Sequence, residues 1–565
     1  MNLNIKAAEQ HTFDAIVVGS GISGGWAAKE LTEKGLKVLL LERGRDLEHV
    51  TGYESAMKHP WEFTYRGYIP RKQRGDRPLG NRGYPYDEYI HYYGFNNSDA
   101  PYTEEKPFSW FRTNIVGGRS IMWGRQSYRL SEMDFEANLK DGIAIDWPIR
   151  YKDIAPWYDY VEKFAGISGE NIGLAQLPDG KFLPPMELNC LEKEVKRGIE
   201  SHFKGRILTI GRTANLTVAL NGRGSCQYRG LCHRGCPFGA YFSTQSATMP
   251  AAVATGNLTL RPHSIVNSVI YDPKKEKATG VKVIDSETGE MIEFYSKIIF
   301  LNASTLGSTF IIMNSVSDRF PNGLGNSSEQ LGKNLMDHHL RSGATGESDQ
   351  FQDQYYSGRR ANGIYIPRYR NLGKEKRDYL RGFGYQGNAS RENWQRGIAE
   401  LGIGADFKES LTVPGPWKMG IMGFGEILPY EENQVRLNHE IKDKWGQPTL
   451  TFNGELKENE INMRKEIMND AAEMLDAAGL KNINAYDTGY TLGNAIHEMG
   501  TARMGRDPKT SVLNAFNQMH EVPNVFVTDG ACMTSAACQN PSLTYMALTA
   551  RACDYAVREL NKRNI

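Results

Sequence analysis

The chain has 565 residues and a mass of 63.5 kDa, enough for two or more packed units with separate cores. Hydrophobic residues at 40% and charged residues at 24% describe an ordinary globular protein. A formal net charge of +1 leaves no basic excess for a nucleic acid or an anionic membrane surface. No apolar run reaches the ~18 residues of a membrane span. The opening "MNLNIKAAEQHTF" has no apolar h-region and no twin arginine, so the chain alone is expected to stay cytoplasmic.

The first element is "FDAIVVGSGISGGWAAKELTEKGLKVLLLERG". Ala15 to Val18 is a short apolar run, as in a strand buried on both faces. Gly19, Gly21 and Gly24 follow, then a helical stretch to about Lys34 closed by Gly35, and a second buried strand from Lys37 to Leu41. Glu42 stands at its end with Arg43 beside it. This is strand–turn–helix–strand with G-x-G-x-x-G at the turn and an acid about 20 residues on. Such glycines let the backbone approach a pyrophosphate at a helix N-terminus, and the acid accepts from ribose hydroxyls. The unit predicts a dinucleotide site and does not choose between NAD and FAD.

Residues from about Gly52 to Pro107 are rich in Tyr, Arg, Gly and Pro and are expected to form long loops. "DWPIRYKDIAPWYDYVEKFAGI" predicts an amphipathic helix in its second half. "NLTLRPHSIVNSVIYD", "ATGVKVID" and "SKIIFLNAS" predict a small antiparallel layer beside the parallel sheet, and "STLGSTFIIMNS" a helix after the strand Ile298–Leu301. From about Gly343 to Asp487, aromatic-rich alternating segments ("GFGYQGNAS", "KMGIMGFGEILP", "NQVRLNHE") predict a larger antiparallel sheet. An amphipathic helix from Lys465 to Ala478, stopped at Gly479, closes this stretch.

Five ordered segments carry a family resemblance: the N-terminal unit, "VGGRSIMWG" (Val116 to Gly124), "DWPIRYKDIAPWYDYVE", "LGKNLMDHH" (Leu331 to His339), and "IHEMGTARMG" followed by "NVFVTDGACMTSAACQNPSLTYMALTAR". In these the chain resembles the glucose–methanol–choline (GMC) family of FAD oxidoreductases. The resemblance implies an α/β fold: a discontinuous Rossmann-like FAD-binding domain and a substrate domain with a mainly antiparallel sheet and helices. It divides the chain into FAD-binding segments 1–55, 108–135, 205–342 and 488–565, with substrate and cap segments 56–107, 136–204 and 343–487. It implies that Gly117, Gly118 and Ser120 lie along the isoalloxazine and pyrophosphate. Val266 would meet the adenine through its backbone, Asp529 and Gly530 would sit near the ribityl chain, and Asn540 and Pro541 would close on the cofactor. In the pyranose oxidase branch a histidine in the "GG…W" segment bonds covalently to the flavin. Met122 holds that position here, so the resemblance implies non-covalent FAD.

Family chemistry needs a base for the hydroxyl proton while the carbon's hydride goes to flavin N5. The matching histidine is His497, and the second member of the pair falls at Asn540. A neutral imidazole accepts such a proton near pH 7, and an amide can hydrogen-bond the alcohol oxygen as charge develops. His338 and His339 lie in a family motif that does not supply the base elsewhere, so a structural or cofactor-neighbouring position is expected for them. Gln386 and Asn388, in "GYQGNAS", are candidate polar contacts for a sugar.

"CQYRGLCHRGC" places Cys226, Cys232 and Cys236 at C-x₅-C-x₃-C in a chain with seven cysteines in all. A disulfide would leave one thiol over, and zinc would need a fourth ligand, with His233 too close to Cys232 for an unstrained turn. Three thiolates suit a 3Fe-4S cluster, one ligand per iron. The spacing resembles the cluster loop, here 224–240, of FAD sugar dehydrogenase catalytic subunits. Free thiols and zinc stay open. Together these features imply a dehydrogenase that oxidises a secondary hydroxyl of a sugar or glycoside, C3 of glucosides by subfamily resemblance. Electrons would leave through the cluster to an acceptor such as a cytochrome c. A small partner subunit is expected, with periplasmic co-export as one route. The alternatives are a dehydrogenase of another polyol or sugar acid, an oxygen-using pyranose-type oxidase, and an electron-transfer flavoprotein without an alcohol substrate.

Overall fold

The computed structural model describes residues 11–67, 69, 88, 99–356, 361–392 and 403–565. The reading of "MNLNIKAAEQ" and much of the expected loop region before Pro107 lie outside these residues. Two sheets of seven strands and one of three strands form the frame.

The first sheet begins with Thr12–Val18, which pairs in parallel with Val38–Leu41 on one side and Met291–Leu301 on the other. Strict alternation splits these strands between two buried clusters. Ile16, Val18, Leu39, Leu41, Ile299 and Leu301 face one side, while Ala15, Val17, Val38, Leu40, Ile298 and Phe300 face the other. Helices Ile22–Glu33 and Ser542–Asn561 pack on each other and supply Ala27, Leu31, Ala552 and Ala556 to the second cluster. Such a sheet, apolar on both faces, is the parallel core the short apolar runs predict.

The antiparallel strands Ser264–Asp272 and Lys277–Asp285 are not a separate layer. They continue the same sheet, because Met291–Leu301 has 11 residues and, on the edge away from Thr12–Val18, serves two partners. Its first half pairs antiparallel with Lys277–Asp285, and its last residues pair in parallel with Val525–Val527.

The second sheet runs, in spatial order, Lys481–Asp487, Ser342–Ser348, Trp417–Glu426, Phe383–Arg391, Ile364–Ile366 and Thr209–Ile210, all antiparallel. His338–His339 pairs with the end of Trp417–Glu426. One face, with Phe383, Tyr385, Met419 and Ile421, packs on helices Cys190–His202 and Glu458–Ala477. "NQVRLNHE" is a correction. Gln434–Lys442 pairs with Pro448–Asn453 in the small third sheet, because its turn at Asp443–Gly446 folds it back on its own neighbour. The closing helix also starts earlier than Lys465, at Glu458. Its charged first turn hides an apolar stripe that begins at Met463, and Glu460 caps the backbone N–H of Lys457 at 2.9 Å. Among the described residues no helix is long and apolar enough to cross a membrane.

The glycines of the first turn differ in what they do. A Cβ on Gly24 would overlap the Gly19 carbonyl, whereas one on Gly21 meets nothing within 4 Å. Gly24→Ala should therefore lose about 1–3 kcal/mol of stability by overpacking, read as a lower thermal midpoint. Gly21→Ala should stay within about 0.5 kcal/mol of the parent. Equal losses in the two variants would contradict this packing account.

Candidate active site

A cavity of about 720 Å³ runs between the two large sheets. Gly19, Gly21, Glu42, Arg43 and Val266 line it toward one end, and His497, Asn540, Pro541 and Gln386 toward the other. Gly118, Ser120, Met122, Asp529 and Gly530 also lie on its wall. Gly24 and Gly117 act behind the wall, where a Cβ on Gly117 would overlap the Gln245 side chain.

Two glycine loops meet at the first end. Gly118 comes so close that a Cβ on it would lie 3.4 Å from the Gly21 Cα. The backbone N–H of Gly117 donates to Ser20 Oγ at 2.8 Å, and Ser20 Oγ donates to Glu42 Oε2 at 2.6 Å. Glu42 also accepts from the backbone of Ser20 at 3.1 Å and of Gly44 at 2.9 Å. Glu42 is thus the pin between both loops, and burial pushes its carboxyl up. The turn after Gln434–Lys442 reaches over this end, with Asp443 at 3.4 Å from Arg43 and the Trp445 ring 4.9 Å from its guanidinium carbon.

Residues on this wall fit a large polar ligand. The Tyr545 hydroxyl, Asn302 Nδ2 and Asn494 Oδ1 are buried and hold no hydrogen bond among the described residues. Buried polar atoms of this kind are costly unless a ligand or water meets them. Asp529 accepts from Ser308 Oγ at 2.5 Å and from the Ala531 N–H at 3.0 Å, while burial pushes its carboxyl up to about 6.

At the other end, strand alternation sorts the side chains. Phe383 and Tyr385 enter the core, and Gln386 points to the cavity; Met419 and Ile421 enter the core, and Met422 and Phe424 line the cavity. Gln386 Nε2 donates to Asn540 Oδ1 at 2.6 Å. Asn540 Nδ2 lies 3.4 Å from His497 Nε2. Asn388, on the same strand, is not on the cavity wall. His338 and His339 also separate by alternation. His338 Nδ1 is 2.8 Å from His497 Nδ1, while His339 turns away to Met463 Sδ at 3.3 Å.

Asp337 holds this floor in place. It accepts from the backbone N–H groups of His338 (2.9 Å), Gly493 (2.8 Å), Ala495 (3.3 Å) and His497 (3.2 Å), and from the Tyr490 hydroxyl. Burial pushes its carboxyl up to about 7 against these bonds, with Glu498 adding to the rise. Burial drives His338 down to about 4 and His497 well below the ordinary imidazole range, helped for His497 by His338 and Arg119. Both imidazoles are therefore neutral at pH 7. Glu498 is paired with Arg119 at 2.8 Å.

The sequence reading did not find Asp337, Tyr490 or the Asp443–Trp445 turn as parts of the site. It placed His338 only as a neighbour. The one available signal was the adjacency "DHH", an acid followed by two imidazoles that a short strand turns to opposite faces.

Cys226, Cys232 and Cys236 are free and half-buried on one loop. Burial pushes the Cys226 thiol up, and Cys232 and Cys236 push it further, so both lie within electrostatic reach of Cys226. Gly230 and Gly235 have φ of 70° and 87°, and the Tyr53 ring packs under Gly235 where a Cβ would sit. Cys232 and His233 lie on the wall of the large cavity. Among the described residues no group of three or more His, Cys, Asp and Glu is placed to hold a metal ion. A lone ion needs ligands converging on one point, and this loop does not offer that.

Residues 13–340 and 429–549 match the two family models described as GMC oxidoreductase. The chain is 30% identical over 569 residues to 2-methyl-1,2-propanediol dehydrogenase of Mycolicibacterium austroafricanum, covering 97% of this chain and 96% of that one. It is 24% identical to the fructose dehydrogenase large subunit of Gluconobacter japonicus, covering 97% and 98%. Its fold is similar to that of pyridoxine 4-oxidase from Mesorbium loti, with a TM-score of 0.60, 17% identity and coverage of 96% and 99%. The chain belongs to the GMC oxidoreductase family, FAD-dependent enzymes that oxidise alcohol and sugar-type hydroxyls.

Proposed function

We propose that the protein is a dehydrogenase that oxidises a secondary hydroxyl of a sugar or glycoside, at C3 of a glucoside, to a ketone. The observation that carries the reading is the half-buried, neutral His497 facing the cavity beside Asn540 and Gln386. His497 Nε2 takes the hydroxyl proton, the carbon's hydride departs, and C=O forms as the C–H and O–H bonds break. Non-covalent FAD, held by the two glycine loops and Glu42, supplies the hydride acceptor. Asn540 Nδ2 is placed to donate to the substrate oxygen as its negative charge grows, and Gln386 holds the Asn540 amide in that orientation. The C3 position rests on the subfamily resemblance alone.

The side walls also support a second reading. Met422, Phe424 and Leu340 give the substrate end an apolar flank, and the diol named in the Mycolicibacterium relative is small and branched. A dehydrogenase of a short diol or polyol is the alternative. Anaerobic mixing of the purified flavoprotein with glucosides, free sugars and short diols decides between them. Bleaching of the flavin by glucosides supports the first reading; bleaching by diols alone overturns it. In the same assay His497→Ala should slow bleaching by about 10²-fold or more with FAD still bound, and Asn540→Ala should act in the same direction. An unchanged rate in the His497 variant would remove it as the base.

For electron exit the reading includes a 3Fe-4S cluster on Cys226, Cys232 and Cys236, and a protein acceptor such as a cytochrome c on a partner subunit. Its support is the donor set: three thiols on one loop, one for each iron, with Cys232 on the wall of the large cavity. The relative named as a large subunit is consistent with a partner. A cluster there would supply single-electron transfer to an outside acceptor. Cys232→Ser should lose iron, keep FAD and keep bleaching by substrate, while turnover with a haem protein collapses. Full turnover in that variant would make the loop a structural staple instead.

A further inference from the structure

His338 sits behind His497, does not reach the cavity, and has no part in the proton transfer just described. Its hydrogen bonds nevertheless have a fixed direction. His338 Nε2 lies 2.8 Å from the Ala537 carbonyl oxygen. A carbonyl only accepts, so the proton of this neutral ring is on Nε2 and its lone pair is on Nδ1. That Nδ1 lies 2.8 Å from His497 Nδ1, with the rings nearly perpendicular at 85°. Two nitrogens at this distance bond only when one of them donates. His338 cannot, so His497 carries its proton on Nδ1 and has its lone pair on Nε2.

The other end of the chain of bonds agrees. Gln386 Nε2 donates to Asn540 Oδ1, which turns Asn540 Nδ2 toward His497 Nε2. Read from Gln386 to Ala537, every donor meets an acceptor. If His497 carried its proton on Nε2, its Nδ1 lone pair would face the lone pair of His338 at 2.8 Å with no proton between them. The backbone holds this arrangement. Ala537 has φ of 58°, uncommon for a residue with a Cβ, and lies in the same segment as Asn540. His338 is fixed by pairing with Glu426 on the second sheet and by its N–H bond to Asp337.

We propose that His338 is a positioning residue that selects the Nδ1–H form of His497, so that the Nε2 lone pair faces the substrate. After proton uptake the same His338 lone pair still accepts from Nδ1–H and meets the new positive charge. This is the part a carboxylate plays in other triads, performed here by a neutral ring that adds no charge to the cavity floor. The inference rests on the reading of His497 as the base.

Two substitutions separate the two ends of the His338 ring. In His338→Asn the side-chain oxygen falls near the position of Nδ1 and can accept from His497, while the bond to Ala537 is lost. In His338→Gln the amide reaches Ala537, and nothing accepts from His497. With FAD content checked first, His338→Gln should slow anaerobic flavin reduction by about 10²-fold, and His338→Asn by less than about 10-fold, with KM unchanged in both. Equal losses, or a greater loss in the Asn variant, would overturn the proposal. His497→Ala is the control: if it reduces flavin at the parent rate, the base reading fails, whereas its collapse with indistinguishable His338 variants sinks this inference alone. Where a His338 variant does not retain FAD, the ¹⁵N imidazole spectrum of the unaltered protein decides. His497 protonated at Nδ1 and His338 at Nε2 support the proposal; His497 protonated at Nε2 overturns it.

Discussion

Desolvation of the paired imidazoles at the floor of the cavity is the constraint on which the site depends. His338 and Asp337 are buried, and His497 is half-buried with one edge on the cavity wall, so their surroundings disfavour a charge on either imidazole. Neutral rings follow from burial, and neutral rings can be ordered only by hydrogen bonds with a fixed direction. The Ala537 carbonyl supplies that direction at one end, and the Gln386–Asn540 amide pair supplies it at the other. Asp337 gathers five donors and ties the His338 strand to the loop of His497, so the ring-to-ring distance is set by backbone and not by flexible side chains.

The fold brings these groups together through strand alternation at two places. The first sheet, apolar on both faces, leaves only the loops at its strand ends to meet a ligand, and there Glu42 pins two glycine loops together. The second sheet has one apolar face, covered by two helices, and one face toward the cavity. Gln386, Met422 and Phe424 reach the cavity because their neighbours are in the core. The same rule parts His338 from His339, which a sequence motif presents as a pair.

Much of this was legible in the sequence where the pattern is local. The Gly19–Gly24 turn, the strands on either side and the helix after them follow from residue types within a short window. His497, Asn540 and the segment around Gly117 were found through ordered motifs, and the structure brings them to one cavity. What was not legible depends on long-range pairing. Gln434–Lys442 alternates like a strand of the larger sheet, and only its turn assigns it to the small one. Asn388 shares a strand face with Gln386 but lies beyond the cavity wall, which spacing alone does not reveal. Asp337 looks like any acid next to a histidine until the loop at 490–497 folds over it. The cysteine loop brings Cys226 within electrostatic reach of both Cys232 and Cys236, which the C-x₅-C-x₃-C spacing alone does not reveal.

The pH dependence of anaerobic flavin reduction tests the central claim, a base kept neutral by its surroundings, most directly. A base must be unprotonated to act, and burial lowers the His497 pKa far below 6.5, so it becomes protonated only at pH well under that value. The groups facing it are His338, also neutral, the Arg119–Glu498 pair, and Asp337, whose carboxyl burial pushes up to about 7; Asp337 bonds the His497 backbone and not its ring, so its protonation within this window leaves the Nε2 lone pair in place. The reduction rate with a saturating substrate should therefore hold nearly constant from pH 8 to pH 6, changing by less than about twofold. A tenfold loss on lowering the pH through 6.5 would mean that His497 titrates as an exposed imidazole does, and would contradict the account.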